Sequence, residues 1–284
     1  MRVLVTGSSG FIGTAVKKEL ASRCWLPMPF DYPDNDVRSP ASLSGYNGIT
    51  DAVINLAGML GTPELFGSEK QAIETNIVGA VNVYDFAKYN DIPVVQIGTG
   101  HKGQPNPYAI TKGCAEDLGL ARAQFLGEKI TVVRAYHVYG PGQPVGAPHG
   151  RSHVNKFFPT FACRALTNMS LEICGGGNQV IDPVYVDDCA KVLVDAITGS
   201  YGEVVEAGNG VPVSVSQVAR DISGAVISAT AVNNVALVEV DSRHGEPKDA
   251  SVVARNPLCS NVWPYKVDET VEWYRQWLKQ NYHS

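Results

Sequence analysis

Several things are scarce or missing in this 284-residue sequence, and each absence closes off a class of function. There is no run of lysine or arginine, and 23 basic residues against 28 acidic ones leave a net charge of −5. A nucleic-acid binder would show a basic surface, so no nucleic-acid partner is expected. The six cysteines (Cys24, Cys114, Cys163, Cys174, Cys189 and Cys259) include no CxxC and no Cys/His spacing. That pattern argues against zinc, against any other metal and against a disulfide framework, and leaves isolated buried thiols as the plain expectation. No segment approaches the ~20 continuous apolar residues of a membrane span. The apolar stretch after Met1 is too short for a signal peptide. A cytoplasmic protein with no membrane partner is therefore expected. Internal repeats and low-complexity linkers are also absent.

What remains is an ordinary globular composition, 44% hydrophobic and 18% charged, in a chain long enough to bury a sizeable core. Strand-like and helix-like segments alternate through the first two hundred residues, which predicts a parallel sheet covered by helices. Strands are expected at Arg2 to Thr6, Asp51 to Leu56, Pro93 to Ile97 and Lys129 to Ala135. Helices are expected at Gly10 to Ser22, Ser68 to Tyr89 and Asn106 to Leu126. After a Gly/Pro-rich loop at 140–150, the pattern predicts a helix over 154–167, strands at 171–174 and 184–186, and a helix capped by Asp187 and Asp188. Helices after the cap Ser214 and over 267–282 follow. Residues 1–150, with 178–212 returning to them, read as a dinucleotide-binding domain. Residues 151–177 and 213–284 read as a smaller lobe.

Thr6-Gly7-Ser8-Ser9-Gly10-Phe11-Ile12-Gly13 leaves the first strand and opens the first helix, the context a phosphate-binding turn requires. Gly7 allows the tight turn, Gly10 lets backbone approach a pyrophosphate, and Gly13 lets the helix pack close to the strand. The helix N-terminus, at Phe11 and Ile12, supplies free N–H groups for the phosphates. A glycine turn can also be purely structural, and the spacing here is GxxGxxG. Asp31, 18 residues past Gly13, is the candidate for the adenosine ribose; its carboxylate would repel a 2′-phosphate and favour NAD over NADP. Pro27 and Pro29 make the strand leading to it short or distorted on this reading.

Tyr108 and Lys112 stand four apart at the start of a helix, on one face. A lysine ammonium beside a phenol favours the phenolate, which makes Tyr108 a candidate acid–base for a hydroxyl undergoing hydride transfer. An ordinary exposed helical pair has the same spacing. Thr99 ends the preceding strand and faces the same crevice, either to bond the reacting oxygen or as a structural strand end. His101, two residues on, fits either a sugar contact or a surface loop.

At this point the sequence resembles the extended short-chain dehydrogenase/reductase family, the sugar-nucleotide epimerases and dehydratases. The motifs run in order: TGSSGFIG, DVR from Asp36, NLAG from Asn55, Asn76, YAITK from Tyr108, RAYHVYGPGQ from Arg134, VYVDD from Val184 and RHGEP from Arg243. The resemblance implies a Rossmann-type doubly wound α/β sheet with a smaller C-terminal substrate-binding lobe, NAD as cofactor and a nucleotide-diphosphate sugar as substrate. It implies Asp36 and Val37 at the adenine, and Leu56, Ala57 and Gly58 beside the pyrophosphate and ribose, with Asn76 nearby. Lys112 would hold the nicotinamide ribose, and Ala135, His137 and Val138 would face the carboxamide. Arg243 would grip the substrate diphosphate and Glu246 its ribose, since arginine suits paired phosphate oxygens. A homodimer through the helices carrying Asn76 and Tyr108 is also implied.

The departures are informative. His137 stands where the family has asparagine near the sugar diphosphate, and Ile181 replaces a phosphate-binding arginine. Lys156 occupies an asparagine position and would restore that charge. Cys174 stands where an aromatic ring stacks on the base. Gly100 and His101 follow Thr99 where a dehydratase carries Asp-Glu, and no cation marks a decarboxylase. The reading is therefore epimerisation, with C4 of a UDP-sugar as the expected position. The alternative is an NAD(P)H-dependent keto-sugar reductase; a dehydratase, a decarboxylase and a non-catalytic dinucleotide sensor rank below.

Overall fold

The structure is a computed structural model, and it describes all residues except Lys248, His283 and Ser284. In chain order the elements of the first half are β1 (Arg2–Thr6), α1 (Phe11–Ser22), β2 (Leu26–Phe30), α2 (Pro40–Ser44), β3 (Ala52–Asn55), α3 (Glu69–Ile73), α4 (Gly79–Asn90), β4 (Val94–Thr99), α5 (Pro107–Leu126) and β5 (Ile130–Ala135). The second half adds β6 (His137–Tyr139), α6 (Phe157–Leu166), β7 (Leu171–Cys174), β8 (Val180–Ile181), β9 (Pro183–Tyr185), α7 (Val186–Asp195), β10 (Val204–Ala207), β11 (Val213–Ser214), α8 (Val215–Ala229), β12 (Leu237–Val240), β13 (Ser251–Val252) and α9 (Val267–Asn281).

Six strands pair in parallel in the order β10-β5-β4-β3-β1-β2. The chain leaves β1 towards β2 on one side and resumes with β3 on the other, so the strand order switches between β1 and β3. A crevice opens there at the carboxyl ends, where ligands bind in such sheets. Alternating residues of the strands face opposite ways. Val3, Val5, Ile54, Val95 and Val133 pack under α1 and α7 on one face. Leu4, Val53, Val94 and Ile130 pack against Val83, Tyr84 and Phe86 of α4 and Ala115 of α5 on the other. The mixed α/β, Rossmann-like architecture expected from the sequence is present.

A third cluster joins α6, α8 and α9 through Phe158, Phe161, Ile222, Val226, Val271 and Tyr274. Tyr139 and Val145 from the connecting segment enter this cluster, and β8 pairs with β11 and β13 beside it. Asp182 fastens the lobe to the sheet: fully buried, it accepts backbone hydrogen bonds from Asn209 (2.9 Å), Gly210 (2.9 Å) and Ala254 (3.1 Å).

Four local expectations need correction. The helix over 68–89 is interrupted by a π-helical turn, Glu74–Val78, which carries the buried Asn76 inward. The helix over 154–167 starts only at Phe157, because Lys156 is extended (φ −102, ψ 145) and Ser152 closes a turn onto Val154. Asp187 and Asp188 do not cap α7; they lie in its first turn, where the helix dipole favours them, and Asp188 accepts from Asn261. The prolines of β2 are accommodated because this is an edge strand: Leu26 bonds Met1 and Phe30 accepts from Gly7, so Pro27 and Pro29, of the other parity, lose no ladder bond. Ser214 caps α8 as expected, accepting from Gln217 N–H.

Candidate active site

The glycine turn sits at the carboxyl end of β1. Gly7 has φ +67, a conformation that favours glycine, and a Cβ there would lie 3.1 Å from Ala57 N. At Gly13 a Cβ would lie 2.3 Å from Gly7 O, so the helix can pack on the turn only without a side chain. Gly10 is the N-cap of α1 and no side chain caps this helix, so the N–H groups at Phe11 and Ile12 are presented to the crevice. Thr6 Oγ1 accepts from Leu56 N (3.1 Å) and Ala57 N (3.0 Å), locking the end of β3 to the turn. Asp31 lies over the turn and accepts from Ser8 Oγ (2.6 Å) and Ser9 N (2.9 Å), bonds that help hold its carboxyl below the usual range against its partial burial. Asp36 pairs with Arg38 at 2.6 Å, and Val37 is buried against Gly79. This cradle fits a dinucleotide: free helix N–H groups, glycines at the close approaches and the Asp31 carboxylate beside the turn.

The residues expected to react lie at the end of β4 and on the first turns of α5. Thr99 closes that strand and is buried, and its hydroxyl accepts from His101 N at 3.2 Å. Asn106 caps α5 by accepting from Ala109 N (2.9 Å), which sets Tyr108 and Lys112 on the first turns. The expected lysine-driven lowering of the phenol is not what the structure shows. Desolvation raises the pKa of Tyr108, and its hydrogen bond with the Thr99 side chain draws it back; Lys112 is not among the causes. Lys112 is itself buried, which lowers its pKa to about 8 against the opposing charge of Glu116. A Cβ at Gly58 would lie 3.7 Å from Lys112 Nζ and 3.0 Å from Asn76 Oδ1, so these groups close one wall of the crevice. Asn76 braces that wall: Oδ1 accepts from Met59 N (2.7 Å), and Nδ2 donates to Met59 O (3.1 Å) and Thr111 Oγ1 (2.9 Å). Ala135 and Val138 are buried on either side of Tyr136, and Gly100 N donates to Ala135 O at 3.0 Å.

On the lobe side, Arg243 lies between two carboxylates, Glu64 at 3.0 Å and Glu246 at 3.1 Å. Burial raises the pKa of Glu246 and Arg243 opposes it. The charges of Arg243 and Glu246 also act on the Cys174 thiol at the end of β7. Lys156 is the N-cap of α6, and burial lowers its pKa. The rings of His101 and His137 meet edge to face, with centroids 4.8 Å apart, and burial lowers the pKa of both. Ile181, at the missing-arginine position, is a core residue of the lobe.

Three contributors escape the sequence. Glu64 sits in the loop after Gly58, and only the fold brings it to Arg243. Glu116 lies on the buried face of α5, bound by Lys102 (2.8 Å) and Arg134 (2.5 Å). Phe66 lies 4.6 Å from the His244 ring and fills the space a Gly245 side chain would need. None has a spacing signal; Glu64 and Phe66 meet residues far along the chain, and Glu116 is paired by neighbouring elements.

The UDP-N-acetyl-alpha-D-glucosaminuronate decarboxylase of Bacillus cytotoxicus is 26% identical, covering 97% of this chain and 98% of its own. A putative UDP-glucose 4-epimerase of Methanocaldococcus jannaschii is 25% identical over 76% of this chain and 79% of its own. Among solved structures, the UDP-glucose 4-epimerase of Thermotoga maritima with UDP-glucose superposes with a TM-score of 0.82 at 23% identity, covering 98% of this chain and 100% of that one. The Thermus thermophilus UDP-glucose 4-epimerase in complex with NAD gives 0.79 at 21% identity, covering 97% and 99%. These two likenesses establish the fold. The sequence pattern of one family spans residues 3–208, most of the chain, so the protein belongs to the NAD dependent epimerase/dehydratase family, whose cofactor is NAD.

Proposed function

We propose that this chain is an NAD-dependent epimerase that inverts C4 of a nucleotide-diphosphate sugar, with UDP as the nucleotide. The observation that carries the reading is the hydrogen bond between the Tyr108 and Thr99 side chains at the end of β4, with Lys112 four residues on in the same helix and Gly100 and His101 in place of any acidic pair after Thr99. Elimination of water needs a paired acid and base there, and neither residue is a carboxylate. The relatives include decarboxylases, dehydratases and epimerases, and the missing acidic pair weighs against dehydration.

The cofactor would lie along Gly7, Gly10, Phe11, Ile12 and Gly13, with Asp31 on the adenosine ribose and Asp36 and Val37 at the adenine. Leu56, Ala57, Gly58, Asn76, Ala135, His137 and Val138 would line the remainder. When bound, NAD supplies the acceptor for the hydride and returns it. Thr99 would hold the sugar oxygen, and Tyr108, a phenol in the nucleotide-free protein that the positive charge of the bound oxidised cofactor and Lys112 would draw towards the phenolate, would take its proton as the C–O bond becomes a carbonyl and hydride leaves the carbon. Lys112 orients the cofactor ribose and adds positive charge beside the developing oxyanion. The keto sugar turns its other face, and Tyr108 gives the proton back to the oxygen. Arg243 and Glu246 hold the nucleotide through the turn, with Lys156 and Cys174 lining the same side. A homodimer through the helices carrying Asn76 and Tyr108 is part of the proposal.

Tyr108→Phe tests this reading. The variant should keep NAD binding and lose turnover by at least a hundredfold, the usual scale of one acid–base group. A variant that still epimerises would remove Tyr108 from the chemistry. Conversion that depends on added NADH would favour a keto-sugar reductase instead.

A further inference from the structure

The arginine assigned to the substrate diphosphate is already occupied in the ligand-free protein. Arg243 Nη2 lies 3.0 Å from Glu64 Oε1, and Nη1 lies 3.1 Å from Glu246 Oε1. Glu246 belongs to the same turn as Arg243, since its N–H donates to Arg243 O at 3.2 Å, and it travels with the arginine. Glu64 does not. It sits in the segment between β3 and α3, on the sheet side, and reaches the lobe arginine across 179 positions of sequence. Two residues on, the Phe66 ring lies 4.6 Å from that of His244, and a Cβ at Gly245 would lie 2.7 Å from Phe66. Residues 61–66 thus form a strap onto the 243–245 turn, held by one ion pair and one ring contact.

The strap is incompletely satisfied. Glu64 Oε2 is buried with no hydrogen-bond partner. The chain bends back over it at Gly61, whose φ is +113 and whose Cβ would lie 2.6 Å from that oxygen. A carboxylate oxygen buried without a donor forfeits part of what its ion pair gains, so the contact depends on Arg243 being free to make it. The charges point the same way. Glu64 and Glu246 also act on the Lys156 ammonium, so two carboxylates face two cations and the ligand-free cluster is balanced. A nucleoside diphosphate is itself an anion that arginine binds by paired hydrogen bonds. Its arrival places like charges side by side, which is costly while both carboxylates stay. Glu246 is fixed to the arginine's own turn, and Glu64 is the group that can withdraw.

We propose that Glu64 is a built-in counter-ion of Arg243 which the substrate diphosphate displaces, so that this residue sets the affinity of the nucleotide site and its departure releases the 61–66 strap. The diphosphate then binds with only the free energy left after the internal pair is broken. The inference rests on the reading of this chain as a nucleotide-sugar enzyme with Arg243 on the diphosphate, but it needs no turnover and no particular sugar.

The experiment is calorimetric titration of the NAD-loaded wild type and Glu64→Gln with UDP, GDP and dTDP, and with the nucleoside of whichever binds. Glutamine keeps the size of the side chain and discards its charge. Glu64→Gln should bind the diphosphate roughly fivefold more tightly than wild type, or better, the scale of one partly exposed ion pair. The nucleoside should bind both proteins equally, and the gain should shrink as salt is raised. Backbone amide exchange in residues 61–66 should quicken when the wild type is saturated with the diphosphate, and be quick already in ligand-free Glu64→Gln. Equal or weaker diphosphate binding by Glu64→Gln would overturn the inference, as would slower exchange in the strap on binding. Arg243→Met separates this failure from that of the reading beneath it. A tenfold loss of diphosphate affinity there would leave Arg243 on the diphosphate even if Glu64 proves idle, whereas no loss would refute that assignment and the inference together. Binding of none of the three diphosphates would refute the nucleotide-sugar reading and the inference with it.

Discussion

Lys112→Met should make the nucleotide-free protein more stable while removing its activity. Burial lowers the lysine from its ordinary 10.5 to about 8. The folded state therefore disfavours the charged form by about 3 kcal/mol, at 1.36 kcal/mol per tenfold change in acidity. Methionine keeps the apolar stem and discards the ammonium. Glu116 is not orphaned by the change, because Lys102 and Arg134 still bind it. Below pH 8 both folded and unfolded chains carry the proton, so the penalty is fully present. Between about 8 and 10.5 the unfolded chain holds a proton the folded one has lost, and stability rises with pH. The advantage of the variant should thus be about 3 kcal/mol at pH 7 and shrink to roughly 1.5 kcal/mol near pH 9.5. Buried tyrosines such as Tyr84 and Tyr274, whose pKa values are raised, pull the other way at higher pH. The difference between wild type and variant in urea unfolding is therefore the quantity to measure. A variant less stable than wild type at pH 7, or a difference flat from pH 7 to 9.5, would refute the reasoning.

Gly13→Ala would push a Cβ to 2.3 Å from Gly7 O, and the turn must move; overpacking of about 1–3 kcal/mol there should weaken NAD roughly tenfold or more in a fluorescence titration. If Asp31 holds the adenosine ribose as proposed, Asp31→Ala should lower the ratio of NADP to NAD dissociation constants at least tenfold; an unchanged ratio would take Asp31 away from the ribose. Asp182→Ala strands three backbone N–H groups, those of the buried Asn209 and Ala254 and of the half-buried Gly210. It should cost about 3–5 kcal/mol in urea unfolding, and a loss under 1 kcal/mol would deny Asp182 its fastening role.

The sheet was legible because its signals are local. Val3, Val5, Ile54 and Val133 alternate within short apolar runs, and Gly7, Gly10 and Gly13 announce a turn by spacing alone. Asn106 and Ser214 cap their helices as their positions imply. What escaped was set by tertiary context. The prolines of β2 look disruptive until the strand is seen at the sheet edge. The π turn around Asn76 has no periodic signature, because inward bonds to Met59 and Thr111 hold it. Tyr108 and Lys112 were readable as a pair. The balance of burial against charge that sets their pKa values was not, since it depends on Gly58, Glu116 and the enclosing walls. Glu64 meets Arg243 across 179 positions of sequence, a distance no spacing rule spans.

The central claim is that the protein inverts a sugar carbon with a cofactor it already carries. Purified protein, without added nucleotide cofactor, should be incubated with UDP-, GDP- and dTDP-sugars, uronates included, and the products read by mass spectrometry and proton NMR. The account predicts a new isomer of unchanged mass from a UDP-sugar, inverted at C4. A product lighter by water or carbon dioxide, or conversion only when NAD(P)H is supplied, would contradict it.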